Sequence, residues 1–398
     1  MRKPILALVA LGAAGLVGCG GGTSSVNKTS MKIYVQQKLY DKAIAQGKRA
    51  LATNPNDGDT NYFMGVSFYA KDGELKTESA TYADSSEQFV KSAFDYFQKA
   101  KQFAAGQWGK SADDNIVSMF GRHFNRGVIA GKKGDNATAA LEYRLATFAD
   151  PENYQGYLMH AYALWPLALD AQKNKDDPKS ADKFNEMSDA ALKDLDKVLE
   201  LKPPEKEKVI TVYQTRGDIQ YRRGMKKESM ESFQKAVELD PENYELLCTI
   251  GQRFFNDQDY ESAAEYLGSC LAVQERLNLI DADDADTYSI IGEIRTKQEK
   301  WQEALEGFDK ALTLKPDDPE NKYAVLVTHY KFGKSLETDN KMDEAKIQYN
   351  EGIKIGTELI QSNTTEAKVY QVVGYCKVGI GDNSGAAIML KKFRELSK

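Results

Sequence analysis

Histidine is the scarcest reactive side chain in this sequence of 398 residues: His123, His160 and His329 are the only three, beside four cysteines and three tryptophans. So few imidazoles leave little material for acid–base chemistry or metal ligation. No Cys-x-x-Cys pair, His-Glu-x-x-His helix or Gly-x-Ser-x-Gly elbow occurs. Gly131-Lys132-Lys133-Gly134 lacks the phosphate-loop pattern and reads as a turn. The acidic run Asp281 to Asp286 lacks the central glycine and closing glutamate of a calcium loop, and suits helix capping. Basic excess is missing as well: the net charge is −6 and the pI near 5.5, which speaks against a nucleic-acid partner. Alternating strand segments are absent, so the chain reads as all-α. These absences point to no catalytic residue, no cofactor and no metal.

What is present is a periodicity. Gly217, Gly251, Gly292, Gly333 and Gly374 are separated by 34, 41, 41 and 41 residues. Twelve positions after each stands a small residue: Ser229, Ala263, Ala304, Ala345 and Ala386. Four further on is a large apolar one: Phe233, Leu267, Phe308, Tyr349 and Leu390. A period near 34 with this content means paired helices that cross closely at the small residues and stack on their neighbours, because one pair buries too little apolar surface alone. Seven extra residues are about two helical turns, so a helix can lengthen without rotating its buried face. "LAVQERLNL" and "IGTELIQSNTTE" are the expected extensions, the second followed by a cap at Thr364 or Thr365.

The residues resemble the tetratricopeptide repeat family. Tyr213 to Asn243 carries Gly217, Tyr221, Phe233, Ala236 and Pro241. A second match has Gly292, Ala304, Phe308, Ala311 and Pro316, and a third Gly127, Ala139, Tyr143, Ala146 and Pro151. Pro-Glu-Asn-Tyr follows at Pro151 and again at Pro241, where the proline suits the turn after a second helix. Weaker units pair Gly65 with Phe97 and Ala161 with Leu195 across insertions, and Ala43, Ala50 and Pro55 suggest the first. The resemblance implies a right-handed superhelical solenoid of about nine hairpins: insertion-bearing repeats over 29–203 and regular ones over 204–398. The insertions "DGELKTESATYADSSEQ" and "AQKNKDDPKSADKFNEM" enter turns within hairpins and are read as longer helices rather than docking elements.

Arg2 and Lys3 precede the apolar run Ile5 to Val17, too short to span a bilayer. It ends in Leu16-Val17-Gly18-Cys19, which resembles the lipobox of bacterial lipoproteins. That resemblance implies a signal peptide over 1–18, lipid on Cys19, and a flexible Gly/Ser tether over 19–28. With Gly20 after the cysteine, it further implies a cell-envelope protein on the outer membrane facing the periplasm.

Of the remaining cysteines, Cys248 and Cys270 fall on the two helices of one hairpin. The register puts Cys270 at a small core position, which favours a buried free thiol over a bridge. His123 and His329 take positions where Tyr213 and Tyr288 pack in other repeats, so packing accounts for them.

In the family the first helix of each hairpin lines a groove. By that register the inward candidates for partner binding are Tyr62, Tyr69, Phe124, Tyr162 and Trp165, with Tyr221, Tyr330 and Tyr375 further along. An aromatic stripe at this spacing is as often core as anchor. The lysine, asparagine and arginine set that grips a peptide carboxylate in part of the family is not present. The last helix, Ala386 to Leu396, is apolar in places and is a candidate for self-association. The expected partners are therefore a protein or peptide of the envelope, the membrane through the lipid, and a second copy. The expected role is a scaffold in an envelope assembly or secretion complex, the alternative being an accessory protein or enzyme acting on peptidoglycan or polysaccharide.

Overall fold

The computed structural model describes residues 23–104, 106–174, 176–362 and 366–397. The expected signal peptide, the expected lipid site at Cys19, and the cap expected at Thr364 or Thr365 lie outside these residues. Eighteen α-helices and one 3-10 turn are found among them, with no strand. The chain divides into two compact units, 1–232 and 233–398. That division falls within α10 (Lys226–Leu239), about one repeat beyond the 203/204 boundary suggested by the insertions.

The first unit opens with α1 (Thr23–Gln36) and α2 (Tyr40–Thr53), then α3 (Gly58–Glu74) and α4 (Tyr82–Phe103). α5 (Gln107–Lys132) pairs with α6 (Asn136–Ala149), and α7 (Tyr154–Lys173) with α8 (Ser180–Glu200). α9 (Lys206–Arg222) meets the start of α10, where Ser229 Oγ donates to the Gly217 carbonyl at 2.8 Å. The second unit holds α11 (Tyr244–Asn256) with α12 (Tyr260–Leu277), and α13 (Ala285–Lys297) with α14 (Trp301–Leu314). α15 (Pro319–Thr338) then pairs with α16 (Met342–Gln361), and α17 (Ala367–Gly379) with α18 (Asn383–Leu396). Nine hairpins result. First helices pack on one another from α1 to α3 to α5 and from α11 to α13, α15 and α17, while α6 packs on α7 and α8 on α9, so the architecture is an all-α solenoid.

The repeating glycines show why. A methyl group added at Gly127 would lie 2.6 Å from the Tyr143 ring, and at Gly292 2.8 Å from that of Phe308. At Gly333 it would lie 2.5 Å from Tyr349, and at Gly251 2.6 Å from Leu267. Each glycine thus leaves space for the large side chain sixteen residues on, rather than only for the small residue at twelve. Gly65 does the same for Phe97 across the first insertion.

Both insertions lengthen helices, the first leaving a turn of residues 75–81 and the second extending α7 to Lys173 and α8 back to Ser180. The tetrapeptide Pro-Glu-Asn-Tyr works chiefly through its asparagine. Asn153 accepts from the Gln155 N–H at 3.1 Å, and Asn243 from that of Leu246 at 2.9 Å, each capping the next helix. Residues 23–28, expected as tether, belong to α1. Lys28 Nζ reaches Asp57 at 3.0 Å and Asp59 at 3.3 Å, fastening that segment to the start of α3. Six residues of threonine, serine, valine, asparagine and lysine are compatible with a helix once its later turns bury Met31.

Candidate partner-binding faces and a buried ionic network

The aromatic residues of the first unit are engaged within the stack. α5 begins at Gln107, twenty residues before its crossing glycine, whereas α3 begins seven before Gly65. The extra turns bring Trp108 onto Tyr62, ring centroids 4.6 Å apart, and onto Phe63 at 5.2 Å. Asn115 of the same helix donates to the Tyr62 hydroxyl at 3.3 Å. Tyr69 lies beneath the Arg122 guanidinium, 4.0 Å from the ring centroid. Phe124 stacks on Phe120 at 5.2 Å and meets Tyr143 edge-on at 5.5 Å. Tyr162 and Trp165 are half-buried against the core that contains Leu195 and Ile219, and Trp165 faces Phe184. Tyr221, on the last turn of α9, is 9% exposed.

In the second unit two candidates come together on neighbouring first helices. Tyr330 of α15 and Tyr375 of α17 have ring centroids 5.7 Å apart. Tyr375 is 39% exposed, its hydroxyl accepting from Gln371 Nε2 at 3.0 Å. Exposed Lys334 follows one turn after Tyr330, and Val378 is 51% exposed one turn after Tyr375. This is the open aromatic surface among the predicted positions.

The sequence reading missed a buried ionic network built largely by the first insertion. His123 is fully buried, as its tyrosine-type register requires. Its Nε2 lies 3.2 Å from Asp72 Oδ2 and its Nδ1 2.8 Å from Glu142 Oε2. Both carboxylates are buried too. With an acceptor at each ring nitrogen, the ring is held as imidazolium. Arg122 donates to Asp72 Oδ2 at 2.7 Å, and Ser86 donates to Oδ1. On the other side the Tyr82 hydroxyl donates to Glu142 Oε1 at 2.6 Å and accepts from Arg126 at 2.9 Å. Asp72, Tyr82 and Ser86 all come from the inserted sequence, while Arg122, His123 and Glu142 belong to the next hairpin. The insertion therefore staples two hairpins together.

Burial works against charge at His123, but the bonds and charges of Asp72 and Glu142 outweigh it and raise its pKa. For Asp72 burial acts upward, and His123, Ser86 and Arg122 together hold the value below the usual carboxylate range. Burial and the Glu142 carboxylate raise the Tyr82 phenol. His160 pairs with Asp194 at 2.6 Å and His329 with Gln348 at 2.9 Å, each between the two helices of its own hairpin. Among the described residues no group of three or more His, Cys, Asp or Glu is placed to hold a metal ion.

Cys248 and Cys270 form a disulfide between α11 and α12, Cα atoms 5.3 Å apart, where a buried free thiol was expected. The small core position of Cys270 is what brings the two helices near enough. Among the described residues Cys376 is the buried free cysteine, and burial pushes its thiol up to about 12.

Crossing glycines in register, stacked hairpins and side-chain caps define a helical-repeat protein. The chain carries a tetratricopeptide repeat, matched directly over residues 210–243. The human protein O-mannosyl-transferase TMTC1 is 25% identical over 149 residues, 37% of this chain. The chain spans about 15% of the length of that curated relative. A tetratricopeptide repeat protein of Parabacteroides merdae is 15% identical, with 71% of this chain and 94% of that chain covered and a TM-score of 0.35. The C-terminal part of a repeat-containing protein from Cytophaga hutchinsonii is 16% identical, with coverage of 75% and 98% and a TM-score of 0.38.

Proposed function

We propose that this chain is a lipid-tethered scaffold of the bacterial cell envelope, working by holding a protein segment rather than by catalysis. The observation that carries the reading is the open Tyr330–Tyr375 surface on adjacent first helices, flanked by Lys334 and Gln371. Aromatic rings with one polar edge supply large contact area at low entropic cost, as interface anchors do. Support for the compartment is separate. Leu16-Val17-Gly18-Cys19 has the form of a lipidation site, and the Cys248–Cys270 bridge suits an oxidising environment such as a periplasm. The transferase activity in the human relative's name is not carried over, since the shared segment is a small part of that protein.

The test is in-cell photo-crosslinking from position 375, with the captured protein identified and its binding to the purified chain then measured. Tyr330→Ala with Tyr375→Ala should weaken that binding at least tenfold, because paired aromatic anchors each contribute more than about 1 kcal/mol. Unchanged affinity in the double variant overturns the assigned surface. For the tether, Cys19→Ala should abolish incorporation of labelled palmitate. Equal incorporation in both chains refutes that part alone.

A further inference from the structure

The charge of the first hairpin is out of character with the rest of the chain. Lys28, Lys32, Lys38, Lys42, Lys48 and Arg49 stand on α1, α2 and the turn between them, against the single carboxylate of Asp41. The chain as a whole carries −6. Lys28 and Lys32 are engaged by Asp57 and Asp59 at the start of α3. Asp41 is itself held by Lys71 of α3, so it neutralises nothing within the hairpin. Lys38, Lys42, Lys48 and Arg49 are exposed, with no ion-pair partner among the described residues; Lys42 leans only over the Tyr34 ring, 5.9 Å from its centroid.

Apolar side chains accompany these cations. Val26 and Ile33, seven residues apart and therefore on one face of α1, are 59% and 46% exposed. Leu39 in the turn is 40% exposed. The buried faces of α1 and α2 are spent on the hairpin's own core and on α3, where Met31, Ala43, Ile44 and Met64 are buried together. Unpaired cations beside isolated apolar side chains are the composition of an interfacial surface.

We propose that this hairpin rests on an anionic phospholipid surface, with Lys38, Lys42, Lys48 and Arg49 against the phosphates and Val26, Ile33 and Leu39 in the headgroup boundary. The inference rests on the tethered reading above. α1 begins at Thr23, and the four residues from Cys19 to that point span at most about 14 Å. A chain anchored there has the start of its first hairpin within about one to two Debye lengths of the headgroups, so that a hairpin lying along the surface brings its basic residues into the surface charge.

The test uses the full chain carrying Cys19→Ala, so that no lipid holds it on neutral vesicles, and Ile33→Cys labelled with a thiol-reactive fluorophore. The native bridge and the buried Cys376 leave that thiol as the reactive one among the described residues. The labelled chain is mixed with vesicles containing nitroxide lipids, made of phosphatidylcholine alone or mixed with phosphatidylglycerol. Quenching is expected in the phosphatidylglycerol vesicles only, and is lost in high salt. Each basic residue strengthens contact about fivefold, so Lys38→Glu, Lys42→Glu, Lys48→Glu and Arg49→Glu together should weaken it more than a hundredfold at low salt. Equal quenching in the two lipid mixtures, none in either, or quenching that survives the four reversals overturns the proposal. So does a finding that the reversals instead dissociate copies of the chain in lipid-free sedimentation, which makes the face a self-contact. Co-sedimentation with neutral vesicles, lost in Cys19→Ala, reports the tether alone and can fail while charge-dependent quenching persists.

Discussion

Removing the charge of Asp72 while keeping its shape isolates what the buried network contributes. In Asp72→Asn one amide oxygen can still accept from Arg122 and His123, and the amide nitrogen can donate to the Ser86 hydroxyl. The hydrogen-bond count is thus preserved, and the loss is electrostatic. Two charge-assisted bonds, at 2.7 and 3.2 Å, become bonds to a neutral acceptor. Each such change costs about 1 kcal/mol, so the substitution should destabilise the first unit by about 2 kcal/mol. Asp72→Ala leaves Arg122, His123 and Ser86 without that acceptor and should cost about 3–5 kcal/mol. For a unit of this size each kcal/mol lowers the midpoint by roughly 2–4 °C, so the alanine variant should melt roughly 6–20 °C earlier.

The pH dependence has a definite sign. His123 has a raised folded-state pKa, so its contribution is complete below its unfolded value near 6.5 and fades as pH rises through the folded value. Asp72 has a lowered one, so its contribution is complete above about 4 and fades as pH falls through the folded value. The network therefore stabilises most between about pH 4 and 6.5. Urea unfolding and hydrogen exchange across α3 to α6, run from pH 4 to 9 on the natural chain and on His123→Ala, read this directly. A gap between the two chains that stays constant from pH 6 to 9 refutes the imidazolium assignment. An Asp72→Ala cost below about 1 kcal/mol refutes the staple.

Gly127→Ala and Gly333→Ala place a methyl group within 2.6 Å of a packed tyrosine ring, and overpacking of about 1–3 kcal/mol should exceed the roughly 1 kcal/mol gained in helix propensity. Gly268→Ala, with nothing within 4 Å, should instead stabilise by about 0.5–1 kcal/mol, and thermal melts of the three variants compare them. Cys248→Ser should cost about 3 kcal/mol, as the bridge closes a loop of 22 residues, and a reductant should lower the natural chain's urea midpoint to match. Trp108→Ala and Tyr62→Ala should each cost about 3–5 kcal/mol in chemical unfolding if the pair is packing, whereas Tyr375→Ala should stay within about 1 kcal/mol.

The axial pattern of this fold was legible because it depends on spacing. Gly127, Gly292 and Gly333 each make room for a ring sixteen residues later, and a single sequence displays that interval. Helix lengthening was legible for the same reason, since two added turns restore the buried face. What covers a residue sideways was not. Tyr62 has the register of a groove residue, yet its face is taken by Trp108, which is there only because α5 starts thirteen residues earlier, relative to its glycine, than α3 does. Gly106, at φ +92°, turns the chain into that early start, and no repeat spacing predicts it. The ionic network was hidden for a related reason. His123 was readable as a core position, but Asp72 lies 51 residues before it and Glu142 19 after. The first separation crosses an insertion that breaks the period. A buried histidine preceded by an insertion that carries Asp72, Tyr82 and Ser86 was the available signal. The inserted residues had to satisfy one another and the next hairpin at once, because two buried carboxylates without His123 and Arg122 would cost more than the hairpin contact returns.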